Sequence, residues 1–146
     1  GVGIGTVFRH FPTKEDLLSS IMVARVERLT EEARALAGAE DAGAAFLSFF
    51  QQMVEHSASK KAFAEALIVA GIDVRSVIGP ALKDLKRAIA VLLTRAQEAG
   101  AIRRDVGVDE TMALFKGASH AAEHAPTDRA LHARTLAIIF DGLRPR

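Results

Sequence analysis

From Thr13 to Gly38 no glycine or proline interrupts the chain, and that single run constrains the fold more than any other feature. Leu18, Ile21, Met22, Leu29, Ala33 and Leu36 recur at steps of three and four, the spacing that gathers apolar side chains on one face of an α-helix. At ~1.5 Å per residue the run predicts a helix of ~25 residues and ~37 Å. Its start is marked chemically. Pro12 disfavours helical geometry at Phe11, Thr13 is a good N-cap, and Glu15 and Asp16 complement the positive end of the helix dipole.

A rod of that length needs other elements to cover its apolar face, and the rest of the chain reads as helical too. A second helix is expected over 44–56, with Phe46, Leu47, Phe49, Phe50, Met53 and Val54 distributed so widely that more than one face must be covered. A third is expected over 60–70, capped by Ser59, turning Phe63, Leu67 and Ile68 inward and ending at Gly71. Residues 71–79 read as a loop, because Pro80 suits the first turn of a helix. That fourth helix, 80–99, repeats Leu82, Leu85, Ile89, Leu92 and Ala96 and stops at Gly100. The link 101–108 reads as solvated. Asp109 is expected to cap a fifth helix to residue 125, and Pro126-Thr127 to open a sixth that runs to Leu143. Neither repeats nor alternating strand patterns occur, so the fold class is all-α.

Composition narrows the function. The 146 residues suit one domain, or one domain with a fragment of another, and contain no Cys, which removes thiolate nucleophiles, disulfides and Cys-ligated zinc. A formal charge of +1 makes any nucleic-acid contact a local matter. No apolar run reaches the ~18 residues of a membrane span, so the expectation is a cytoplasmic protein with no membrane partner.

The first residues carry the functional signal. Gly1 to Leu18 reads G-V-G-I-G-T-V-F-R-H-F-P-T-K-E-D-L-L, and Thr6, Phe8, His10, Phe11, Lys14 and Leu17 stand at the spacing found at the end of the DNA-binding domain of the TetR (tetracycline repressor) family. The chain resembles that family. The resemblance implies a turn, a recognition helix and the first turn of a long connecting helix. It makes 1–14 the C-terminal remnant of a helix-turn-helix domain that lacks its first two helices, and 13–146 a helical effector-binding and dimerisation domain. It also implies that Gly3, Ile4, Gly5, Thr6, Phe8, Arg9, His10 and Lys14 contact DNA. Thr6, His10 and Lys14 match phosphate-contacting positions, whereas Ile4, Gly5 and Phe8 match positions facing base edges. Phe8 stands where many relatives carry Tyr, so a hydroxyl–phosphate bond is lost there. Family members dimerise through their last two long helices, which assigns Leu114, Gly117, Ala118, Ala121, Ala122, Leu136, Ile139, Phe140 and Leu143 to a dimer interface.

The implied protein is a ligand-responsive transcriptional regulator, a homodimer on a palindromic double-stranded DNA operator, released by a small apolar or amphipathic effector. Its effector cavity is expected among Phe46, Phe49, Phe50, Met53, Phe63, Leu67, Ile89, Leu93 and Phe115, with Gln52, His56 or Glu65 as polar orienters. The alternative is a helical ligand-sequestering or protein-interaction module that never binds DNA. Catalysis has little support. His120-Ala121-Ala122-Glu123-His124 satisfies the H-x-x-E-H pattern of inverted zinc peptidases but has only Asp128 and His132 as nearby third ligands, so neither a metal, a cofactor nor an enzymatic activity is assigned.

Overall fold

The computed structural model describes residues 13–146, apart from the side chains of 58–60. Six helices follow in order: α1 (Lys14–Leu36), α2 (Ala42–Glu55), α3 (Ser57–Val69), α4 (Val74–Glu98), α5 (Val108–His124) and α6 (Arg129–Leu143). No strand occurs among the described residues, so the all-α reading is correct.

The connecting rod forms where its caps predict. The Thr13 hydroxyl accepts from the Asp16 amide at 3.0 Å, and the helix continues for 23 residues to Leu36. Met22, Val26, Leu29, Thr30 and Ala33 make its buried stripe, and Thr30 hides its hydroxyl by donating to the Val26 carbonyl at 3.0 Å. Nothing N-terminal of Met22 is buried among the described residues. The rod packs most extensively along α4.

Helix α2 lies at the centre. Asp41 caps it by accepting from the Ala44 amide at 2.9 Å, which sets its start at Ala42 rather than residue 44. One side places Phe46, Phe49 and Met53 in the main core with Leu85, Ile89, Leu92 and Leu93 of α4; the other places Phe50 and Val54 in a second core with Ala118, Ala122 and Leu136. The expected two-sided burial is therefore present.

Four further boundaries differ from expectation, three of them through a cap. Residues 71–79 are not a loop, because Asp73 accepts from the Arg75 amide and the Ser76 hydroxyl and starts α4 at Val74. Pro80 then sits inside the helix on an exposed position, where the one backbone bond it forgoes costs least. Ser59 does not start α3, which begins at Ser57 directly after the single turn residue His56. Asp109 is not the cap of α5; Gly107 is, its amide donating to the Glu110 carboxylate at 2.8 Å, while Asp109 pairs with Lys86 at 3.2 Å. Asp128, not Pro126-Thr127, opens α6.

Two helix ends behave as read. Gly71 and Gly100 adopt φ of 77° and 75°, and the amides that follow them reach back to the Leu67 and Ala96 carbonyls at 2.9 Å, the arrangement that closes a helix with a left-handed residue. The link after Gly100 is not simply solvated. Ile102 is buried at 2%, and Gln97 donates to the carbonyls of both Arg103 and Val106. Arg103 ties the link to the end of α6 through a 2.8 Å bond from its amide to the Leu143 carbonyl.

Candidate functional site

The phenylalanine spacing of α2 dictates the candidate site. Residues 46, 49, 50 and 53 point three of their side chains at α4 and turn Phe50 toward α5, so apolar groups from three helices converge. Phe46, Phe49, Phe50 and Met53 of α2, Ile89 of α4, and Thr111, Met112 and Phe115 of α5 enclose one chamber. Its volume is about 10 Å³, on the scale of a single water, so the helices are closed around it. The ring of Phe50 meets Phe115 edge-on at 6.3 Å between centroids and Phe140 at 5.8 Å. The one polar wall residue, Thr111, is occupied by its bond to the Gly107 carbonyl at 3.0 Å. The chamber is thus largely aromatic and uncharged, suited to an apolar guest.

Six of the nine expected cavity residues, Phe46, Phe49, Phe50, Met53, Ile89 and Phe115, line this chamber. Three lie elsewhere. Leu67 and Leu93 are buried in the packing between helices, and Phe63 is half-buried with the Arg25 guanidinium 4.4 Å above its ring, which joins α3 to the rod. The suggested polar orienters do not line the chamber: Gln52 hydrogen-bonds Ser48, His56 sits at the α2–α3 turn, and Glu65 faces Lys61 at 4.0 Å on the surface. Ile68, expected inward, is 66% exposed.

Two open depressions flank α5. A groove of about 400 Å³ runs between α2, the end of α5 and the start of α6, lined by Gln51, Glu55, Arg129 and His132 over Val54 and Leu136. The His132 ring donates from Nε2 to the Ala125 carbonyl at 2.7 Å, closing the end of α5. A second cleft of about 270 Å³ lies between the start of α3 and α5, lined by Ser57, Phe115, Lys116, Ser119, His120 and Glu123. Thr111, Met112, Lys116 and Ser119 escaped the sequence reading. Their signal was present as polar members, Thr111 and Ser119, at core positions of α5 four residues to either side of Phe115.

The interface candidates divide into two sets. Ala118, Ala122, Leu136 and Leu143 belong to the chain's own core, and Ile139 and Phe140 pack half-buried against it. Leu114, Gly117 and Ala121 are exposed on the outer side of α5, and Leu131 and Ile138 are exposed on α6. His120 and His124 stand on that outer side as well, their rings 4.1 Å apart, with His124 donating from Nδ1 to the His120 carbonyl. No group of three His, Asp or Glu side chains able to hold a metal occurs among the described residues. Of the DNA-contact candidates, Lys14 is exposed in the first turn of α1; Gly3, Ile4, Gly5, Thr6, Phe8, Arg9 and His10 fall outside the described residues.

Residues 41–145 match the family described as transcriptional regulator SbtR-like, C-terminal domain. The chain belongs to the TetR family of transcriptional regulators. It is similar over 99% of its length to a TetR transcription regulatory protein of known structure from Mycobacterium vanbaalenii, at 35% identity and a TM-score of 0.81, covering 77% of that chain. A TetR transcriptional regulator from Streptomyces coelicolor matches with a TM-score of 0.84 at 28% identity, over 99% of this chain and 82% of the other. No curated protein matches. In this TetR-family chain no helix of the described residues is long and apolar enough to cross a membrane.

Proposed function

We propose that this TetR-family chain is the sensing and dimerising body of a cytoplasmic, ligand-responsive regulator, probed by an apolar or amphipathic effector at the aromatic chamber of α2, α4 and α5. In this reading residues 1–14 close a helix-turn-helix domain and 13–146 form the effector-binding and dimerisation domain. The observation that carries it is convergence: seven apolar side chains from three helices meet at one enclosed point, and the helix that supplies Ile89, α4, is the main support of the rod α1. A guest too large for about 10 Å³ must push these walls apart, and the displaced α4 carries the rod with it. By linkage, an effector that favours the separated arrangement lowers operator affinity by the factor by which operator lowers effector affinity. The homodimer is proposed to form on the outer face bearing Leu114, Gly117 and Ala121, with Leu131 and Ile138 extending it.

The test is a gel shift with the full-length protein on fragments of its own upstream region. A discrete palindromic fragment should be retarded, and Lys14→Ala should weaken binding on every sequence while lowering the salt slope by about one. Retardation of no palindromic fragment overturns the reading in favour of a ligand-sequestering module.

A further inference from the structure

Buried hydroxyls in this protein follow one habit. Thr30 donates to the Val26 carbonyl, Thr111 to that of Gly107, and Ser57 to that of Val54 at 2.6 Å, so each satisfies itself within its own stretch of backbone. Ser119 breaks it. The residue is 8% exposed, and its Oγ is buried without a hydrogen-bond partner among the described residues. A hydroxyl in that state forfeits the bond it made with water and gains nothing in return.

What surrounds Ser119 points to a guest. It lines the 270 Å³ cleft with Lys116, His120 and Glu123, which all project from one flank of α5 at spacings of three and four, and with Ser57, whose hydroxyl is already committed. Lys116 and Glu123 carry opposite charges on either side of Ser119, one turn before and one turn after it, and neither forms an ion pair among the described residues. A carboxylate seated at Ser119 is attracted by one and repelled by the other, and an ammonium meets the reverse. A neutral group that both donates and accepts meets no such conflict. Phe115 lines this cleft and also the aromatic chamber, so its side chain borders both spaces.

We propose that this cleft is the polar mouth of the effector chamber, taking the neutral hydrogen-bonding head of an amphipathic molecule, a phenol, alcohol or amide, whose apolar body displaces Phe115 and enters between α2, α4 and α5. The proposal rests on the effector reading above and adds the chemical class of the guest. Ser119 makes the hydrogen bond, Lys116 and Glu123 select against charge, and Phe115 is the gate.

The chain has no Trp, so Phe115→Trp installs a single reporter on the gate. In that background 4-butylphenol, 4-butylbenzoate and 4-butylbenzylammonium are titrated by tryptophan fluorescence, with calorimetry on the Phe115 protein as the parallel measurement should the indole perturb the fold. The phenol should bind more tightly than either charged analogue. Ser119→Ala should weaken it about five- to tenfold, the loss of one hydrogen bond, while raising the Tm of the free protein by removing an unsatisfied hydroxyl. A merely structural serine would shift the Tm alone. Equal phenol affinity in Ser119→Ala overturns the mouth, as does preference for a charged analogue or failure of all three to bind. If the phenol binds the Ser119→Ala protein with unchanged affinity and Ile89→Phe abolishes that binding, the chamber stands and only the mouth falls.

Discussion

Helices α2 and α3 are neighbours separated by one residue, His56, yet they are held in opposite ways. Eight of the fourteen residues of α2 are buried, including three phenylalanines at 2% exposure, whereas α3 buries Ser57 and Leu67 among its described side chains and leaves Ile68 and Val69 in solvent. The difference teaches which part of the domain is frame and which is free to adjust. Cohesion follows apolar area removed from water, and α3 removes little.

The contrast can be broken most directly in the core. Phe46→Ala should cost about 3–5 kcal/mol by urea unfolding, while Val69→Ser should stay within about 0.5 kcal/mol; comparable losses would erase the distinction. Native-state hydrogen exchange comes next. Amides of α3 should exchange through local opening at least about tenfold faster than those of α2 and α4, which should open only with global unfolding.

A smaller effect concerns what anchors α3 to the rod. Arg25 over the Phe63 ring is a cation–π contact of about 0.5–1 kcal/mol, so Phe63→Leu should accelerate exchange across α3 and leave α2 unchanged. The smallest lies in the link between α4 and α5, which is pinned by polar bonds. Arg103 grips Asp105 through two hydrogen bonds, and this guanidinium holds the Asp105 carboxyl down to about 2, from an ordinary value of 3.8. A carboxyl depressed in the folded state stabilises above its unfolded value and loses that contribution as pH falls through the folded one. Stability should therefore decline slightly more steeply between pH ~4 and ~2 in the parent than in Asp105→Asn, as followed by acid titration of the circular dichroism signal.

Much of the frame was legible. The rod starts at its predicted cap and Gly71 and Gly100 end their helices, because caps and left-handed glycines act locally and leave their mark within a few residues. The start of α4 was not, since Pro80 by itself marks a helix start, whereas the Asp73 side chain satisfies a first turn that begins six residues earlier. The site divides similarly. Spacing put Phe46, Phe49, Phe50 and Met53 on a shared wall, but periodicity cannot say whether an apolar stripe faces its own chain or another. Hence Ala118, Ala122 and Leu136 were assigned outward and lie in a core with Phe50 and Val54. The orphaned Ser119 was invisible for a different reason: a missing hydrogen bond is a property of the packed neighbours, not of the residue.

Phe50 has one further consequence. Its ring stands edge-on to Phe115 on α5 and to Phe140 on α6, so three rings on three helices pack in series. Phe140 belongs to the helix carrying Ile138, its most exposed large hydrophobic side chain. Phe50 thus links Phe115 to Phe140 by two ring contacts, and coupling energy between Phe115 and Phe140 should vanish when Phe50 becomes Leu.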